Sequence, residues 1–181
     1  SGMPQKFTRA VVERMADIND RPIIFSLSNP TSKSECTAKQ AYSWTKGRCV
    51  FASGSPFDMV EFKGQPFVPG QANNAYIFPG LGLGLIASKA DRITNDLFSV
   101  AAKSLASQVS EHDLGMGRIF PSLSRIREVS AQIAVDVAEA VFTLGLTTAE
   151  RPEDLPKAVR DIMFEPEYSD YLEEVKKLVL L

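Results

Sequence analysis

Pro22-Ile23-Ile24-Phe25-Ser26-Leu27-Ser28-Asn29-Pro30-Thr31 is the stretch on which the fold turns. Residues 22–28 make a short apolar run bounded by turn formers, which reads as a buried strand, and Asn29-Pro30 closes it. Upstream, Thr8 is placed to cap a helix carrying Val11, Val12, Met15 and Ile18 on one face, and Asn19-Asp20-Arg21-Pro22 breaks that helix. Downstream, Thr37-Ala38-Lys39-Gln40 fits a capping box and predicts a helix through about Thr45, ended by Gly47. Cys49-Val50-Phe51-Ala52-Ser53 then reads as a second buried strand, closed by Gly54-Ser55-Pro56. Helix, strand, helix, strand is the order of crossover units on a parallel sheet, so the class expected is α/β with right-handed crossovers.

Beyond that unit, Val60-Glu61-Phe62 and Pro66-Phe67-Val68 around Lys63-Gly64-Gln65 predict a small hairpin outside the sheet. After residue 75 the periodicity is helical. Thr94 or Asn95 can cap a helix with Leu97, Val100, Ala101 and Leu105 on one face. The longest helix is expected from about Ser124 to Leu144, stopped by Gly145, and a last one near Leu155–Met163. The tail after it, rich in glutamate, tyrosine and lysine, is expected to wrap a surface or a partner subunit.

Composition narrows the function. The chain has 181 residues and a net charge of -2, and no basic stripe carries interleaved aromatics, so nucleic acid is not the expected partner. The apolar run from Ala75 to Ala87 holds three glycines and a proline and is shorter than the roughly 20 residues of a membrane span. Cys36 and Cys49 belong to no metal-binding spacing and imply free thiols in a reducing compartment. His112 is the only histidine, which leaves a histidine metal site or a Ser-His-Asp triad little to work with; a surface or cap role suits it better. The chain opens almost directly into a helix, with Ser1-Gly2 ahead of it, which suggests an excerpt from something larger.

Two loops carry the chemistry. Ser28-Asn29-Pro30-Thr31 follows the first strand, and Gly70-Gln71-Ala72-Asn73-Asn74 leads into Tyr76-Ile77-Phe78-Pro79-Gly80. An asparagine amide offers an acceptor and two donors in one plane and can grip a carboxylate or carboxamide without adding charge. Past the carboxyl end of a parallel strand it stands where open α/β sheets bind ligands. Turn chemistry alone explains one such loop; for the second, one of Asn73 and Asn74 is expected to face the site while the other caps the helix behind. Gly80-x-Gly82-x-Gly84 lacks the spacing and preceding strand of a dinucleotide loop, so its glycines are expected to let another backbone approach. Ser53-Gly54-Ser55 lacks a base and reads as a turn with ligand-contacting backbone rather than a nucleophile.

These residues resemble malic enzyme. The likeness is carried by residues 21–31, by Glu35-Cys36-Thr37-Ala38, by Phe51-Ala52-Ser53-Gly54-Ser55-Pro56-Phe57, by residues 69–80 and by Gly117-Arg118-Ile119-Phe120-Pro121. It implies a partial Rossmann-like parallel sheet with flanking helices, a small β-hairpin and a C-terminal helical segment. The resemblance places the second half of an NAD(P)-binding domain at 1–145 and a helical tail segment at 146–181. The activity implied is oxidation of L-malate and decarboxylation to pyruvate and CO2, with NAD or NADP as cofactor and Mg or Mn in the complete enzyme. By the same likeness Asn29 contacts malate and the nicotinamide end of the cofactor, Asn73 is a second malate contact, Asn74 is its neighbour, and Ser28 and Gly54 lend backbone near the nicotinamide.

The tyrosine acid, the lysine base, the malate-gripping arginine, the metal ligands and the glycine-rich dinucleotide loop of the family have no matching motif here. The expectation is therefore a piece holding one wall of an active site, inert by itself, within a homo-oligomeric enzyme (dimer or tetramer) of the cytoplasm, with mitochondrion or plastid open. The rivals are a non-catalytic oligomerisation module of the same fold, and a different α/β dehydrogenase.

Overall fold

A computed structural model describes residues 2–166 of the chain. Helix α1 (Arg9–Ile18) begins where the Thr8 side chain accepts from the Val11 amide, and it buries Val12 and Ala16. Strand β1 (Ile23–Ser26), helix α2 (Ala38–Trp44) and strand β2 (Val50–Ser53) follow. The two strands run parallel, with Ile23 beside Val50 and Ser26 beside Ser53. The capping box forms: the Gln40 amide donates to Thr37 Oγ1 at 3.2 Å and the Thr37 amide to Gln40 Oε1 at 2.8 Å. Each bond satisfies an N–H that the first turn of a helix leaves without a partner.

Strands β3 (Val60–Phe62) and β4 (Gln65–Phe67) make the expected antiparallel hairpin, apart from the main sheet. From sequence Gly70-Gln71 is expected to be loop, and here the structure differs. Those residues form β5 (Gly70–Gln71), parallel to β2, with Ala52 beside Gly70 and Ser53 beside Gln71. Two residues after a proline carry no alternation to read; the strand exists because β2 offers an edge, and Ala72 N donating to Ser53 O at 2.8 Å prolongs the pairing. The sheet order is β1-β2-β5, all parallel, so the carboxyl ends at Ser26, Ser53 and Gln71 share one rim. Below it Tyr42 lies between Phe51 and Phe67, its ring centroid 5.9 and 4.5 Å from theirs.

The second layer is helical: α3 (Phe78–Ser88), α4 (Asn95–Ser107), α5 (Glu111–Gly115), α6 (Ile126–Thr143) and α7 (Leu155–Asp161). α6 is its axis, because two adjacent stripes on it are buried. Val129, Ile133, Val137 and Val141 pack with Leu81, Leu97, Ala101 and Leu105. Ala134 and Ala138 pack with Leu155 and Val159 of α7. Each fully buried valine, leucine or isoleucine contributes about 1.5–3 kcal/mol, so the longest helix also carries the most burial. Gly80 and Gly84 allow the close approach expected of them: a Cβ on Gly80 would stand 2.7 Å from Ile133 Cβ, and one on Gly84 2.7 Å from the Ala134 carbonyl oxygen.

Two further details depart from expectation. α5 lies within the stretch expected to be helical, though the sequence reading singles out no helix there, and Ser110 caps it by accepting from the Asp113 amide. Thr94 occupies the N-cap position of α4 but makes no capping bond, and its buried hydroxyl has no partner among the described residues. Contacts expected of the tail from residue 167 onward lie outside the described residues. No helix among the described residues is long and apolar enough to cross a membrane.

Candidate functional site

The rim of the sheet brings three loops together: 27–30 after β1, 54–56 after β2 and 72–74 after β5. The middle loop ties the outer two to itself. Ser55 Oγ donates to Asn29 Oδ1 at 2.6 Å on one side, and Gln71 Nε2 donates to the Gly54 carbonyl at 3.3 Å on the other. Gly54 is where the packing is tightest. A Cβ there would fall 2.3 Å from the Leu27 carbonyl oxygen and 2.8 Å from Asn29 Oδ1, so any side chain would push the asparagine loop away. The Asn29-Pro30 peptide bond is cis.

Asn29 and Asn73 are both exposed and stand at the ends of strands separated by β2 alone. Two inter-strand spacings put those strand ends roughly 10 Å apart. In each amide the oxygen is engaged within the protein. Asn29 Oδ1 takes the Ser55 hydroxyl, and Asn73 Oδ1 takes the Ala75 amide at 2.9 Å as the cap of the 3-10 turn Asn74–Tyr76. Each Nδ2 group makes no hydrogen bond to another described residue and faces solvent as a pair of donors. A neutral, donor-only presentation from two sides suits an anion whose charge is balanced elsewhere. Asn73 thus caps and presents a donor group at once; the sequence reading divided those duties between Asn73 and Asn74. Asn74 is exposed, begins the 3-10 turn, and makes no side-chain hydrogen bond among the described residues.

Ser28 and Gly54 have less backbone to offer than expected. The Ser28 amide donates to Glu35 Oε2 at 3.2 Å, the Gly54 amide donates to the Ser26 carbonyl at 3.0 Å, and the Gly54 carbonyl already accepts from Gln71, so neither amide is available to a ligand. Sequence reasoning missed the supporting residues Glu35, Ser55 and Gln71. Ser26-x-Ser28 puts two hydroxyls on one side of a strand end, which is the one local hint of a buried partner there.

Other titratable groups near the sheet are held inert. Burial pushes the Cys36 thiol up to about 12, with the neighbouring Cys49 adding to it, and burial raises Cys49 too. Both are free and buried, which fits structural thiols rather than nucleophiles. His112 is exposed in the last turn of α5. A cavity of about 200 Å³ adjoins β5, lined by Gln71, Tyr76, Arg118 and Phe120 among others, but neither Asn29 nor Asn73 lines it. The amide rim itself is an open shelf. Among the described residues no three His, Cys, Asp or Glu side chains gather into a set able to hold a metal ion.

Comparison with known proteins gives the family. The family model described as "Malic enzyme, NAD binding domain" matches residues 1–142. The chain is 55% identical over 172 residues to an NADP-dependent malic enzyme of Populus trichocarpa, covering 94% of this chain and 29% of that protein. Among solved structures it resembles a malic enzyme of Pyrococcus horikoshii Ot3 (TM-score 0.65, 26% identity, 87% of this chain and 32% of that one). It also resembles one of Entamoeba histolytica (TM-score 0.66, 21% identity, 88% and 29%). The chain therefore spans about 29% of the length of the curated relative it matches.

Proposed function

The chain belongs to the malic enzyme NAD-binding domain family, and on that premise we propose that it forms one wall of the active site of a longer enzyme. That enzyme oxidises L-malate and decarboxylates it to pyruvate and CO2 with reduction of NADP or NAD. The observation that carries the reading is the pair of asparagine amides at one sheet rim, each with its oxygen engaged by the protein and its nitrogen free to donate. Donors fixed in this way hold a carboxylate without reorganising when it arrives, which is what positioning a small dicarboxylic acid requires.

The rim also fits the nicotinamide end of a dinucleotide. Asn29 is exposed at that rim, and the absence of a side chain on Gly54 lets the loop that carries Asn29 pack closely against it. When bound, the nicotinamide supplies the hydride acceptor. On this reading Asn29 orients both substrate and cofactor, Asn73 holds the substrate from the far side of β2, and Asn74 lines the approach. The described residues offer Mg or Mn no ligand set, so no step is derived through a metal on this chain.

The same reading takes residues 1–145 as half of the cofactor domain and 146–181 as its C-terminal segment. Assembly as a dimer or tetramer belongs to it, with the exposed Ile86 and Phe164 available for such contacts. The two buried free thiols suit the reducing cytoplasm.

The test is to extend the coding sequence upstream and assay both products for malate-dependent formation of NADPH or NADH. The extended protein is expected to turn over and the 181-residue chain to be inert. An extended protein with no malate-dependent reduction, or a 181-residue chain active by itself, would overturn the proposal.

A further inference from the structure

Glu35 is 5% exposed, and a carboxylate buried to that degree needs a reason. It stands just ahead of α2, and besides its own amide the groups that bond its carboxylate include three at the end of β1: Ser26 Oγ at 3.1 Å, the Ser28 amide at 3.2 Å, and the Ser28 hydroxyl. Ser26 Oγ in turn lies 2.7 Å from Ser34 Oγ and accepts the Cys36 amide at 3.1 Å. The end of β1 is thereby fastened to 34–36 by the Glu35 carboxylate and by the Ser26 hydroxyl. The next residue along the chain is Asn29, whose side-chain oxygen is held from the opposite direction by Ser55. Hydrogen bonds to an ionised acceptor are about twice as strong as neutral ones, which makes Glu35 the stronger of the two restraints.

We propose that Glu35 is a positioning residue: through Ser26 and Ser28 it sets the backbone from which Asn29 presents its amide nitrogen to the substrate carboxylate. The consequence for substrate rests on the malate reading above; the consequence for the loop does not. Glu35 touches neither substrate nor cofactor. A glutamine in its place keeps the shape but presents an NH2 group to groups that are themselves donors.

The test has two arms. In the 181-residue chain, Glu35→Gln is expected to raise hydrogen exchange at the Ser28 amide by about tenfold or more, the scale of losing one charge-assisted bond. It should also shift the Asn29 side-chain amide resonance while exchange along α6 stays as it was. If Glu35→Gln disturbs α6 as well, Ser28→Ala, which removes one bond and keeps the charge, is read by the same Asn29 resonance. An Asn29 resonance unmoved in a folded variant overturns the proposal. In the longer enzyme Glu35→Gln should lower kcat/KM for L-malate by roughly tenfold or more, the scale of slight misplacement of a binding group. Unchanged malate kinetics with a freed Ser28 amide would also overturn it. Absence of malate turnover in the unsubstituted enzyme would strike the malate reading alone, and the resonance arm would still decide for or against Glu35.

Discussion

Asn29 and Asn73 reach the same arrangement by different routes, one through a neighbouring loop's hydroxyl and the other through a backbone amide two residues on. An amide anchored by its oxygen has lost its rotational freedom before a ligand arrives, so less ordering entropy opposes binding. Glu35 is the charged member of this group, and it makes the stability of the rim depend on pH. Burial pushes its carboxyl up, but the Ser28 hydroxyl, its own amide, the Ser28 amide and the Ser26 hydroxyl together outweigh that and hold it down at about 2, against an ordinary 4.5. A folded value below the unfolded one means stability that is fully present above about pH 4.5 and lost as pH falls through 4.5 toward 2. Urea unfolding followed between pH 6 and pH 2 should show this fall. Glu35→Gln should be less stable at pH 6 and lose less below pH 4.5; parallel curves for the two proteins would contradict the assignment.

The contact between α3 and α6 shows how an element is chosen by what it must pack against. Gly80 and Gly84 lie on the face where α6 approaches, while a Cβ on Gly82 would meet nothing within 4 Å. Gly84→Ala is therefore expected to destabilise by about 1–3 kcal/mol, the range for overpacking a close contact. Gly82→Ala should stabilise by about 0.5–1 kcal/mol, because alanine restricts the unfolded chain at an open helical site. Thermal or urea denaturation of the two variants checks the contrast, and equal effects would mean that the glycines are not distinguished by packing. The one-turn spacing of Gly80 and Gly84 made this contact legible from sequence, as the Thr37 capping box did for α2. β5 was not legible, since its two residues take their conformation from β2. Nor was the work of Glu35 visible, because its partners at 26 and 28 meet it only after the chain has turned at Pro30.

Taken whole, the described molecule is a three-stranded parallel sheet packed with α1 and α2, together with a helical cluster built on α6, and its rim amides open onto solvent. On the proposed reading the open shelf is one wall of a site whose proton-transfer groups lie on other segments, and the chain spans 29% of its poplar relative. The outer edge of β1 pairs with no strand among the described residues, and Ile23 and Val11 beside it are exposed. Apolar residues on a free edge are a surface that further chain would cover. The central claim is that the two amides act on one ligand, and a double-mutant cycle in the longer enzyme tests it most directly. Asn29→Ala and Asn73→Ala should each lower kcat/KM for L-malate by roughly 10²-fold, the scale of losing a positioned donor. The double variant should lose less than their product, with a coupling of about 0.5–3 kcal/mol. Near-normal kinetics in either single variant, or losses that simply multiply, would contradict the account.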